Sequence, residues 1–275
     1  MEWNFAQGSE YTQTQAVEKH PGLRPDSTHA PRPPTFQTLQ PPCAQTHPMS
    51  EPPSLSRSVE DYLKAIYSVE ERDGAASTSA IARELRIQPA SVSGMLKRLA
   101  ESGYVEYERY RGVHLTEDGI REALRIIRRH RILETYLSQR LGYSWEDVHD
   151  EAERLEHAAS DTLIDRMAAA LEHPSHDPHG APIPTRGGDV EATSRTTLAE
   201  VEPGSTVRIR AVRDDDPERL RYLEARGLLP GVVLTVEQRA PFNGPISVRV
   251  KEAAEGIRTV GYDMATRIRV APLAP

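Results

Sequence analysis

The sequence predicts an α+β protein in three folded parts: a winged helix-turn-helix, a helical domain and a small antiparallel β-barrel. Three observations carry that prediction. Apolar residues recur at helical spacing from Ser58 to about His173, and from about Thr197 short alternating runs replace them. Between these regions lies a stretch rich in proline, glycine and histidine, "HPSHDPHGAPIPTRGGD".

Residues 1 to about 55 are expected to be a disordered tail, because "PRPPTFQTLQPPCAQTHP" has neither helical nor strand periodicity; Met49 offers a second start just before the ordered pattern. The segment "SVEDYLKAIYSVEER" then places Val59, Tyr62, Leu63, Ile66, Tyr67 and Val69 on one helix face, with Ser58 as N-cap. A short helix, "STSAIARELRI", capped by Ser77 or Thr78, leads at once into "QPASVSGMLKRLAESG". In that second helix Val92, Met95, Leu96 and Leu99 face inward, leaving Ala90, Ser91, Ser93 and Gly94 outside. "YVEYERYRGVHLTEDG" gives two strands around a turn at Tyr110 to Gly112, with Arg109 and Arg111 at its tip. Order and length are those of a winged helix-turn-helix over residues 56–120.

A long helix, "TEDGIREALRIIRRHRILETYLSQRLG", and a second across residues 145–160 form a helical domain over 121–173, the two packed antiparallel. Residues 174–196 read as a flexible linker that lets the next part dock or swing away, with no dedicated metal site among its histidines. The runs "STVRIRAV", "GVVLTVEQRA", "ISVRVKE" and "TRIRVAP" are the strands of a barrel over 197–275. One short helix interrupts them, starting at Pro217 and ending at Gly227.

Composition narrows the function. A single cysteine, Cys43, excludes an internal disulfide framework and a cysteine-rich zinc site. No apolar run approaches the roughly 20 residues of a membrane span, and the N-terminus lacks a basic patch followed by an apolar segment, so a soluble cytoplasmic protein is expected. The net charge of −7 argues against indiscriminate nucleic-acid binding, yet the winged unit carries a local basic surface. Gln88, Ser91 and Ser93 are placed to approach base edges, and Lys97, Arg98, Arg109 and Arg111 to meet phosphates of double-stranded DNA.

The stretch "HDEAERLEHAASD" carries the second function. A helix turns about 100° per residue, which puts His149, Glu153, Glu156, His157 and Ser160 on one stripe. It is either a solvated acidic face, with Asp150 and Arg154 as an i,i+4 pair, or a divalent metal site; in the first case the protein would sense an organic ligand. His130 and Glu134, one turn apart on the preceding helix, bring a second His/Glu pair beside the stripe. A helical metalloenzyme is disfavoured. A di-iron bundle carries Glu-x2-His on each of two helices, and here Glu146 and His149 alone have that spacing.

Through "EDYLKAIY", "SVSGMLKRLAESGYV", "RRHRILETYL" and "VHDEAERLEHAASD", in that order, the chain resembles the diphtheria toxin repressor and manganese transport regulator family of metal-dependent repressors. The resemblance runs from residue 58 to about 272; "RGLLPGVVLTV" and "APFNGPISVRV" are similar to the family's SH3-like domain, related to a small ferrous-transport-associated domain. It implies a homodimer that binds operator DNA, with a primary metal site of Asp61, Glu153, Glu156 and His157. It also implies an ancillary site of His130, Glu134 and His149, completed by Asp216 or Glu218 from the barrel. Asp61 and Glu153 stand where iron-responsive members have methionine and cysteine, as in the manganese branch, whereas His149 matches the iron branch. Lys64 stands where the manganese regulator has a ligating glutamate, and Gly94 where the family has a recognition-helix glutamine. Oxygen-rich donors suit Mn²⁺, with Fe²⁺ the alternative effector, so the expected function is repression of metal-uptake genes.

Overall fold

Helix α1 (Arg57–Asp73) begins two residues earlier than its sequence suggests: the Ser56 carbonyl accepts from the amides of Val59 and Glu60, making Ser56 the N-cap rather than Ser58. It ends at Gly74, which takes the left-handed conformation there. The computed structural model describes residues 55–108, 112–213, 216–251 and 256–273. The expected tail and the wing-tip arginines Arg109 and Arg111 lie outside the described residues.

Helices α2 (Thr78–Glu84) and α3 (Pro89–Glu101) follow, α2 capped by the Ser77 hydroxyl and α3 opened by a proline in its first turn. Strands β1 (Val105–Glu108) and β2 (Gly112–Leu115) pair antiparallel as the wing. A first core joins Leu63, Ile66 and Val69 of α1 to Ile81 of α2, to Val92, Leu96 and Leu99 of α3, and to Val105 and Val113 of the wing.

The long helix α4 (Glu117–Leu141) contributes to two cores. Its N-terminal half, through Ala123 and Ile126, closes the first. Gly119 allows that approach, since a Cβ there would lie 2.0 Å from the Tyr104 carbonyl oxygen. The C-terminal half, through Ile132, Leu133 and Leu137, forms a second core with α5 (Val148–Leu155), α6 (Asp161–Ala170) and Ile183.

The expected helix across 145–160 is shorter: helix occupies 148–155 alone, a turn follows, and a separate helix starts at Asp161. Helix α5 stops at Leu155, whose carbonyl accepts from Ala158 and Ala159, and Ser160 then caps α6 by accepting from the Leu163 amide. The stripe from His149 to Ser160 therefore bends at Glu156 and His157. Arg154 pairs with Glu151 at 2.8 Å instead of Asp150.

Beyond α6, residues 177–184 of the connector are packed rather than loose, while 185–196 stay exposed or half-buried. Asp177, His179 and Ile183 are buried, the Arg131 guanidinium donates to the Pro182 carbonyl, and Arg128 donates to that of Pro184 at 2.9 Å. On its other side the Val212 amide donates to the His179 carbonyl at 2.9 Å. Gly180 holds φ +85°, and a Cβ there would sit 2.1 Å from the Arg210 carbonyl oxygen.

Among the described residues the C-terminal part is a five-stranded antiparallel sheet in the order β6-β5-β4-β3-β7, consistent with an SH3-like fold. Its strands are β3 (Thr206–Val212), β4 (Val233–Arg239), β5 (Ile246–Val250), β6 (Ile257–Val260) and β7 (Ile268–Pro272). Strand β6 is absent from the alternation visible in sequence because it is short and buries Val260 alone. Helix α7 (Pro217–Glu224) fills the expected helical interruption. The third core, with Ile209, Leu220, Leu234, Val248 and Val270, also takes in Trp145 from the loop after α4.

Candidate metal centre

Two helices and a turn build the primary cluster. Helix α1 supplies Asp61, the last turn of α5 supplies Glu153, and Glu156, the C-cap, and His157 follow in the turn that ends the helix. One donor atom from each of these four residues lies within 4.8 Å of the others. Glu156 is fully buried; Asp61, Glu153 and His157 are partly so.

Neighbouring groups fix the orientation of His157. Its Nδ1 donates to Glu60 Oε2 at 2.6 Å, which turns Nε2 toward Asp61 Oδ1 at 3.0 Å. Both of these atoms are buried, and neither has a hydrogen-bond partner. Two such atoms held 3.0 Å apart out of water need either a shared proton or a cation between them, and with Glu153 and Glu156 alongside the donor set fits a metal ion. Glu60 is itself held by Arg129 at 3.2 Å, and Arg129 also reaches Asp161 at 3.0 Å. Burial, with Glu153 acting in the same direction, pushes the Asp61 carboxyl above its ordinary value despite the nearby charges of His157 and Lys64.

The second cluster centres on Glu134. Its Oε1 lies 2.9 Å from His130 Nε2, 3.2 Å from His149 Nδ1 and 3.8 Å from His179 Nδ1. His130 links the two clusters, because its Nδ1 donates to Glu156 Oε2 at 2.5 Å. Burial opposes charge on His130, but Glu134 beside it and the hydrogen bonds to Glu134 and Glu156 push its pKa up to about 9. Burial alone would raise Glu134; the charge on His130 and the bonds from His130, His149 and His179 instead hold it well below the usual carboxylate range.

The connector supplies the residues that sequence reasoning missed. Glu134, Asp177 and His179 form a group of potential ligands overlapping the one made by His130, Glu134 and His149. His179 Nε2 donates to the Trp145 carbonyl at 2.8 Å while its ring stacks on Trp145, so Nδ1 is turned toward Glu134. Asp177 Oδ1 accepts from the amides of His179 and Ala181, and Oδ2 lies 3.5 Å from Arg131 Nε. The spacing Asp-x-His was the available signal, masked by surrounding prolines and glycines. Asp216 caps α7 by accepting from the Glu218 and Arg219 amides, and Glu218 is exposed in that helix's first turn. Neither belongs to a potential ligand group among the described residues.

On the winged unit, Gln88, Ser91, Lys97 and Arg98 are exposed and Ser93 is half-buried, all on α3 or at its N-cap. The space beside Gly94 on the same helix is open.

Comparison with known proteins decides the family. Residues 54–113 match the iron-dependent repressor N-terminal DNA-binding domain, residues 116–185 the metal-binding and dimerisation domain of the same family, and residues 196–272 the FeoA domain. The iron-dependent repressor IdeR of Mycobacterium leprae is 30% identical over 229 residues, covering 78% of this chain and 97% of that protein. The chain belongs to the iron-dependent repressor family.

Members of this family are metal-dependent transcriptional repressors, and so is this chain. The regulator MntR of Oceanobacillus iheyensis is 38% identical over 116 residues, 42% of this chain and 78% of that protein. A solved manganese-dependent transcriptional repressor in complex with manganese shares 38% identity at a TM-score of 0.74, covering 78% of this chain and all of the other. Iron- and manganese-named relatives thus both occur. Among the described residues no helix is long and apolar enough to cross a membrane.

Proposed function

We propose that the protein is a homodimeric, Mn²⁺-responsive repressor of metal-uptake genes. The observation that carries this reading is the primary donor set: three carboxylates and one imidazole, with no sulfur, two of whose donor atoms, Asp61 Oδ1 and His157 Nε2, are buried without a hydrogen bond. Hard oxygen donors favour Mn²⁺ relative to a thiolate- or thioether-bearing set, although intrinsic affinity still rises toward Fe²⁺ and Zn²⁺. The imidazoles of His130, His149 and His179 around Glu134 support a second reading, Fe²⁺ as effector, because imidazole suits iron.

Asp61, Glu153, Glu156 and His157 would hold the primary ion; His130, Glu134 and His149, joined by Asp177 and His179, would hold the ancillary one. A bound divalent ion supplies the positive charge that lets the acids of α1 and α5 stay close. Asp61 belongs to the helix that packs against α2 and α3, so drawing it toward the end of α5 fixes the DNA-binding unit on the helical domain. Gln88, Ser91 and Ser93 then meet base edges, while Lys97, Arg98, Arg109 and Arg111 meet phosphates.

The test is binding to a duplex selected from a random-sequence pool, titrated anaerobically with Mn²⁺, Fe²⁺ and Zn²⁺. Half-activation by Mn²⁺ at concentrations where Fe²⁺ leaves binding unchanged supports manganese. The reverse order assigns iron.

A further inference from the structure

Lys64 brings a positive charge into the primary cluster itself. It lies on α1 three residues after Asp61, on the same helix face, and its Nζ is 2.5 Å from Glu153 Oε2 and 2.7 Å from Glu156 Oε1. These are two of the four residues that would ligate the ion, and Glu156 is the fully buried one. The ammonium therefore meets the carboxylates of Glu153 and Glu156, while Asp61 Oδ1 and His157 Nε2, 3.0 Å apart on the other side, have no hydrogen bond from it or any other group.

A divalent ion and an ammonium repel each other at such separations, and the same carboxylate lone pairs cannot serve both at full strength. Lys64 also has an exit. Its side chain keeps 21% of its surface exposed, and a flexible four-carbon stem lets the ammonium leave for water without moving α1.

We propose that Lys64 is a tethered cation that neutralises Glu153 and Glu156 in the metal-free protein, and that a divalent ion enters the primary centre by displacing it. This inference rests on the reading of Asp61, Glu153, Glu156 and His157 as metal ligands. It makes the working affinity of the centre a difference between two cations competing for the same acids. A site with four strong donors is thereby set to respond at a higher metal concentration than its donors alone would give.

Calorimetry of Mn²⁺ binding to the full-length metal-free protein tests this with Lys64→Met, Lys64→Gln and Lys64→Arg. Removing the competing charge-assisted hydrogen bonds should tighten primary-site binding about tenfold or more in the Met and Gln variants. Lys64→Arg, which keeps the cation, should stay close to the parent. Equal or weaker binding by both neutral variants overturns the proposal and makes Lys64 a helper that remains on the carboxylates beside the ion. A second readout needs no variant: labelling with an amine-reactive reagent, resolved by mass spectrometry, should rise at Lys64 when Mn²⁺ is added while Lys97 labels equally. Unchanged labelling at Lys64 also overturns it. The parent reading fails separately, and takes this inference with it, if Glu153→Ala and His157→Ala bind Mn²⁺ as the parent does.

Discussion

Glu60 stands next to Asp61 in the chain, yet the two side chains act on different atoms of one imidazole. Glu60 accepts from His157 Nδ1, fixing the ring so that Nε2 is turned toward Asp61, and Arg129 holds Glu60 in place. Helical spacing and family resemblance made Asp61, Glu153, Glu156 and His157 visible in sequence; Glu60 lay off the stripe, and its role depends on a contact across 97 residues. His130 does for the ancillary cluster what Glu60 and Asp61 share at the primary one. Both its nitrogens face carboxylates, so with a pKa near 9 it carries two protons at neutral pH. Nε2 can bind an ion only after losing its proton, while Nδ1 continues to donate to Glu156. Ancillary-site affinity should therefore rise with pH from 7 to about 9 and flatten above it, with about one proton released per ion near neutrality. Calorimetry in buffers of different ionisation enthalpy counts that proton, and none released at pH 7 would contradict the assignment.

At the level of elements, one apparent stripe serves two clusters: His149 at the start of α5 faces Glu134, Glu153 a turn later belongs with Asp61, and the bend after Leu155 keeps Glu156 and His157 in that second group. Periodicity could not reveal it, since Ala158 and Ala159 continue a helical pattern and Ser160 signals a new start only through its capping bond. The connector misled for a related reason. Prolines and glycines that read as flexibility serve instead to turn the backbone between α4 and β3, where Arg128 and Arg131 take up its carbonyls. Gly180 is the most demanding of these positions. With φ +85° and the Arg210 carbonyl where a Cβ would lie, Gly180→Ala should destabilise the protein by more than about 1 kcal/mol. It should also weaken metal binding at the cluster containing His179. Denaturant unfolding and metal titration measure the two effects; a variant matching the parent in both would show that the connector is loosely held.

Over the whole molecule, three cores are joined by two devices: α4 runs through the first and second, and Trp145 inserts from the helical domain into the third. The three-part α+β architecture was legible because each part has its own hydrophobic period. The route by which the barrel reaches the ancillary cluster was not, because it passes through the His179 carbonyl bonded to β3 and the His179 ring bonded to the Trp145 carbonyl. Asp177→Ala with His179→Ala should therefore reduce ancillary-site affinity by about 10- to 100-fold, whereas Asp216→Ala and Glu218→Ala should leave it unchanged. The opposite pattern in calorimetry would return the barrel acids to the site. The central claim is that joining α1 to the end of α5 through a divalent ion turns DNA binding on. It is tested most directly by measuring operator affinity of the parent, Glu153→Ala and His157→Ala proteins with and without Mn²⁺, with circular dichroism as the check on folding. The account predicts strong Mn²⁺ stimulation in the parent and none in either variant, all three keeping their helical content. Stimulation of the variants equal to that of the parent would contradict it.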